Sequence, residues 1–189
     1  MENNYENRIG FSPRLGALLV DVVVIIVVAL VIVGPILGVF MGAEAAEAAK
    51  ETATASGGDQ MDKDLAEAGG GIGGFFAGMV LSLPITGFLY TLIEGLTGAS
   101  PAKMMFGIKI ANEDGTKANR NTLIKRWAFR NGSSLIQILA AIGLTFLSPV
   151  SGIYGLIITV GCFMVLRDNK QSFHGAWSKT AVFKKSDIN

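Results

Sequence analysis

Residues 15–41 run from Leu15 to Met41 with a single charged side chain, Asp21, among them. A helix needs about 20 apolar residues to cross a hydrocarbon core of ~30 Å, so this run is long enough to cross with some tilt. Arg8 and Arg14 precede it and Ala43-Glu44-Ala45 follows, which superficially suggests a secretory signal and its cleavage site. A signal core is only about 7–15 residues long. The length of the run and the presence of Asp21 predict a retained membrane anchor instead. Gly34-Pro35 near its far end predicts a kink.

Two further apolar regions complete the pattern. Residues 72–96 form a second span, with Pro84 expected to bend it, and residues 131–147 and 153–166 form a third and a fourth. The last two are short, and Ser148-Pro149-Val150-Ser151-Gly152 between them reads as a tight turn. They make a helical hairpin that either crosses fully or re-enters. The expected fold is an all-α membrane protein with four transmembrane helices and a small cap containing short strands.

Charge distribution orients this arrangement. Between spans one and two, residues 42–70 hold Glu44, Glu47, Glu51, Asp59, Asp62, Asp64 and Glu67 against only Lys50 and Lys63. All other lysines and arginines fall before span one, in the loop 97–130, or in the tail 167–189. With four spans those three segments share one side, and the positive-inside rule makes that side cytoplasmic. The acidic segment is then periplasmic. Its Ala/Glu/Lys composition favours helix, Ser56-Gly57-Gly58 breaks it, and Asp59 caps a short helix over 59–68.

The basic loop has structure of its own. Ser100 and Pro101 provide an N-cap and a first helical position for a short interfacial helix, Ala102 to Phe106. Gly107 to Asn112 alternates like a strand, and Asp114-Gly115 signals a hairpin turn. Asn121 or Thr122 caps a helix bearing Lys125, Arg126, Trp127 and Arg130. Thr180 to Phe183 reads as a strand able to pair with Ile108–Ala111.

The chain resembles the RDD family of small bacterial membrane proteins. The resemblance rests first on Gly10-Phe11-Ser12-Pro13-Arg14-Leu15-Gly16-Ala17-Leu18-Leu19-Val20-Asp21, where an arginine is followed seven residues later by an aspartate. It continues through Tyr90, Glu94 and Gly98-Ala99-Ser100-Pro101-Ala102-Lys103, then Asn112-Glu113-Asp114-Gly115, Arg126, Arg130 and Phe173-His174-Gly175. Two positions depart from the family pattern. Ala102 stands where a glycine is usual, and Gly175 stands where the family closes on an aspartate; Asp168 is the nearby carboxylate that would have to substitute. The resemblance implies a polytopic protein of the bacterial inner membrane. It implies no settled activity, although transport roles have been proposed for the family.

Ionisable groups inside a membrane are costly and therefore candidate functional residues. Arg14 and Asp21 share a helix face about 10.5 Å apart along the axis, too far for a direct ion pair. Glu94, at the cytoplasmic end of span two, is expected to pair with Arg14. Asp21 and Glu94 either clamp helices together or relay protons or a cation. Gly70, Gly74, Gly78 and Ser82, and Gly34, Gly38 and Gly42, repeat at four-residue spacing, which permits close helix approach either within the chain or against another subunit. Lys103, Lys109, Arg120, Lys125, Arg126 and Arg130, with Phe106 and Trp127, form a basic set suited to anionic lipid headgroups or to enforcing orientation. His174, the single histidine, is expected to cap the cytoplasmic unit by hydrogen bonds. Cys162, the single cysteine, is expected to be a small buried hydrophobe.

The remaining motifs are idle. Gly69-Gly70-Gly71-Ile72-Gly73-Gly74 matches a dinucleotide fingerprint, but no strand precedes it. Asn131-Gly132-Ser133 matches a glycosylation site on the wrong side of the membrane. The chain shows no nucleophile elbow, phosphate-binding lysine loop or metalloprotease motif, so an enzyme is not expected, nor a cofactor, metal or nucleic acid. Two functional expectations follow: a non-catalytic accessory component that binds another membrane protein or a second copy of itself, or a small ion or proton-coupled transporter using Asp21 and Glu94.

Overall fold

A computed structural model describes residues 6–141 and 144–188. Helix α1 (Phe11–Val28) passes through a π-helical turn (Ala29–Val33) into α2 (Gly34–Ala55). The π turn answers Pro35, which has no N–H and whose ring excludes the carbonyl one turn earlier. The Gly34 N–H instead reaches back five residues to the Ala29 carbonyl. Gly57 adopts φ +79°, which ends the helix and lets the chain reverse. Helix α3 (Gln60–Thr97) then runs back and stays helical through Pro84. Asp59 caps it, accepting from the Asp62 N–H at 2.9 Å, so the short helix expected over 59–68 is the first part of α3.

The chain divides into two compact units, residues 23–87 and the remainder. In the first, α2 and α3 pack backbone against backbone. A Cβ at Gly78 would lie 2.5 Å from the Gly38 nitrogen, one at Gly74 would strike the Met41 carbonyl oxygen, and one at Gly34 or Gly38 would strike Met79 or Phe75. Ser82 is fully buried in the same interface. The small-residue repeat is therefore spent inside the chain, and it is not a free face for another subunit.

The second unit is built around an antiparallel pair, β1 (Ile108–Asn112) with β2 (Thr180–Lys184), in the register Ile110 opposite Val182. The N-terminal segment joins the other edge of β2, where the Ile9 N–H donates to the Val182 carbonyl at 2.8 Å. Asp114-Gly115 does turn the chain, with Gly115 at φ +84°, but β1 finds its partner seventy residues later rather than across that turn. Helices α4 (Pro101–Met105) and α5 (Arg120–Arg130) flank the sheet. Ser100 caps α4 as expected, while Asn119, not Asn121 or Thr122, caps α5 through the Thr122 N–H at 2.8 Å.

Among the described residues, three helical stretches are long and apolar enough to cross a membrane: Phe11–Ala55, Gln60–Thr97 and Thr145–Leu166. The expected third span, 131–147, differs, and residues 142–143 within it lie outside the described part. Its helix, α6 (Gly132–Ala141), has ten residues and so extends about 15 Å, half a hydrocarbon core. Helix α7 (Ser148–Cys162) begins inside the segment expected to be a turn, with Pro149 in its first turn where a proline N–H is not missed. The reversal precedes it. Ser133 donates to the Ser151 carbonyl at 2.8 Å and Tyr154 to the Phe129 carbonyl at 2.6 Å, so α6 lies antiparallel to the first half of α7.

Candidate functional site

Two carboxylates organise the second unit. Asp21, nearly three turns into α1, is buried. One of its oxygens accepts from the Tyr90 hydroxyl at 2.7 Å and from the Ala102 N–H at 3.2 Å; the other accepts from the Ser100 hydroxyl at 2.5 Å. The local reason is a helix start. Ser100-Pro101 opens α4, the first N–H groups of a helix have no partner within it, and Asp21 supplies an acceptor from another element.

Glu94, near the end of α3, is also buried. Its carboxylate meets Lys103 Nζ at 2.7 Å and Arg130 Nη1 at 2.9 Å. Gly95 makes this possible. A Cβ there would fall 2.7 Å from Trp127, so glycine lets the indole settle against α3, where its N–H donates to Thr91 Oγ1 at 3.3 Å. Trp127 lies on α5, and seating it brings Arg130 level with Glu94. Glu94 holds the Arg130 charge above its ordinary range. Burial lowers Lys103 to about 8, against the opposing pull of Glu94.

The expected Arg14–Glu94 pair does not form. Arg14 instead donates to the Lys170 carbonyl at 2.8 Å, and Lys170 holds a left-handed φ of 46°. Two cations nearer in space, one delivered by the break at Gly98 and the other by α5, take the carboxylate. Arg14 and Asp21 do share a face, because both line one cavity of about 120 Å³ together with Lys103, Arg126, Arg130 and His174.

The basic set divides. Arg120 and Lys125 are exposed at the surface and Lys109 is half-buried. Arg126 is 3% exposed and donates to Thr180 Oγ1 at 2.5 Å; with Arg130 committed to Glu94, neither belongs to that surface. Burial lowers the Arg126 pKa to about 10. At Gly175 a Cβ would lie 2.9 Å from the Thr180 carbonyl oxygen and 3.1 Å from Arg126 Nη1. The backbone of β2 thus fills the place where a side chain at 175 would begin, while Asp168 is exposed. His174 is buried, with Nε2 3.1 Å from the Ser172 hydroxyl. Burial first, then Arg126, Arg130 and Lys103, push its pKa well down against the opposing effect of Glu94.

Tyr90 and Ser100 as ligands of Asp21, and Thr180 as the partner of Arg126, were not singled out in the sequence. A signal for the first existed: a buried helix start at Ser100-Pro101 demands an acceptor, and Asp21 is the one carboxylate in span one. With this geometry in hand, the sequence model of the RDD family matches residues 8–179. No curated protein and no solved structure matches the chain.

Proposed function

Because the chain belongs to the RDD family of membrane proteins, we propose that it is a non-catalytic accessory component of a bacterial inner-membrane assembly, which contacts a protein partner through its acidic arm. The observation that carries this reading is the arm itself. Helices α2 and α3 continue past the apolar region to Ala55 and back from Gln60, which is about 20 Å of helical hairpin at 1.5 Å per residue. Most of its carboxylates are exposed, and Met61 and Leu65, four residues apart on one face, are 74% and 73% exposed. Apolar side chains set among acidic ones on a rigid projection suit a basic partner surface with an apolar centre.

The same reading places both termini in the cytoplasm and residues 42–70 in the periplasm. What supports it is the sheet: residues 8–9, β1 and β2 bond to one another, so the three basic segments share a side. The hairpin of α6 and α7 then has to return to that side, and a helix of about 15 Å that starts level with Glu94 suits a re-entrant loop better than a full crossing. A photoreactive residue at Met61 or Leu65 in native membranes should yield a discrete crosslinked partner. Neither position giving an adduct would remove the arm from the proposal. An impermeant thiol reagent should label a cysteine at the exposed position 56, in a Cys162→Ser background, only from the periplasmic face.

The competing reading, an ion or proton relay through Asp21 and Glu94, draws on Asp21 bordering the cavity. Both carboxylates are already engaged by fixed donors, which favours the clamping role. Asp21→Asn protein that folds and leaves ion flux in vesicles unchanged would eliminate the relay.

A further inference from the structure

The cavity beside α1 carries more positive charge than its own carboxylates balance. Arg14, Lys103, Arg126 and Arg130 line it. Glu94 meets Lys103 and Arg130, and Asp21 accepts only from neutral donors. Among the described residues no ion pair forms at Arg14 or Arg126. Four cations against two carboxylates leave an excess of two positive charges in a largely buried place, where such charge calls for an anion.

The hydrogen-bonding inventory points the same way. Arg14 Nε, Arg126 Nε and His174 Nδ1 are buried and have no partner among the described residues. Arg126 and His174 are 3% and 6% exposed. When the Ser172 hydroxyl donates to His174 Nε2, the neutral ring carries its proton on Nδ1 and offers a third donor. Two planar guanidiniums from different elements, plus an imidazole N–H, match an acceptor with several oxygens at fixed angles. The volume of about 120 Å³ suits one such group, since a cavity near 150 Å³ holds a benzene.

We propose that this cavity binds a phosphate-type oxyanion, either free phosphate or the headgroup phosphate of an acidic phospholipid. The rim favours the lipid source. Leu15 and Leu18, 37% and 44% exposed, place apolar surface next to the charged interior, where acyl chains would lie. The site is separate from the basic surface of Lys109, Arg120 and Lys125, and independent of the acidic arm.

The test uses the full chain in a neutral detergent, titrated with sodium phosphate, with a soluble short-chain phosphatidylglycerol, and with chloride at matched ionic strength. At least one phosphate probe should bind and raise the thermal midpoint beyond the chloride control. Arg14→Gln, which removes a partly exposed side chain from the rim, should weaken that binding at least tenfold. Binding of the lipid alone assigns the headgroup; binding of both probes assigns the free anion. If Arg14→Gln does not fold, Leu18→Trp, which crowds the mouth without removing a charge, carries the same tenfold expectation. Failure of both probes with the wild-type chain overturns the proposal. So does unchanged affinity in whichever of these variants folds.

Discussion

Residues 23–87 and the rest of the molecule hold themselves together by opposite means. In the first region, α2 and α3 meet across glycines and a serine, and the tightest contacts are between backbones. In the second, α3, α4 and α5 are tied by Glu94 to Lys103 and Arg130, while Asp21 gathers Tyr90, Ser100 and the start of α4. The contrast follows from solvent. Lipid tails are as apolar as leucine, so burying leucine in a helix interface within the membrane gains little, and either close packing or polar bonds must do the work. Between the apolar stretches of α2 and α3, packing serves, because unpaired charge in lipid is costly. Toward the sheet, where the chain carries its cations, charge pairing serves, and a single carboxylate can organise several elements.

The largest effect should come from breaking the charged region. Glu94→Gln removes a buried carboxylate and leaves the half-buried Lys103 and Arg130 without their counter-charge, which costs roughly 3 kcal/mol. Chemical denaturation in detergent would measure it, and adding Lys103→Met should restore part of the loss. Breaking the packed region should cost somewhat less. Gly78→Val forces the two backbones of the hairpin apart, an overpacking penalty of about 1–3 kcal/mol. Gly73→Ala, whose added Cβ would meet nothing within 4 Å, should leave the same denaturation curve in place. If the two glycine variants behave alike, the hairpin does not depend on backbone contact.

A smaller effect separates the regions by pH. His174 is held neutral by burial and by Arg126, Arg130 and Lys103, with Glu94 opposing them. Below its ordinary value of 6.5 the unfolded chain takes up a proton that the folded chain refuses. Stability therefore falls as pH drops through that value and is whole above it, with a slope of at most about 1.4 kcal/mol per pH unit. His174→Gln should flatten the wild-type decline between pH 6.5 and 5.5, measured by thermal midpoint, while Gly78→Val leaves its slope unaltered. The smallest effect belongs to the arm. Lys50 and Glu67 pair at 2.7 Å but are about half exposed, and Lys50→Ala should not shift the denaturation midpoint measurably.

How much was legible beforehand depends on the range of the interaction. The small-residue repeats of α2 and α3 announced their packing because helical spacing is a local property of sequence. The β1–β2 pair was visible as two alternating segments, although the turn at Asp114-Gly115 offered a false partner. Depth alone points Arg14 to Glu94, and depth says nothing of which cation the next turn or the next helix delivers. Residues 148–152 looked like a turn because Ser, Pro and Gly favour turns, yet the same residues also favour a helix start.

Apolar runs, their lengths and the placement of cations follow from the order of residues, since transfer into lipid and backbone satisfaction within it act segment by segment. That much, with membership in the RDD family, the chain declares by itself. The identity of each ion pair, the burial of Arg126 and the gathering of four cations around one cavity were decided by tertiary structure. Those outcomes turn on a few ångströms between residues far apart in sequence, set by details such as the space Gly95 leaves for Trp127.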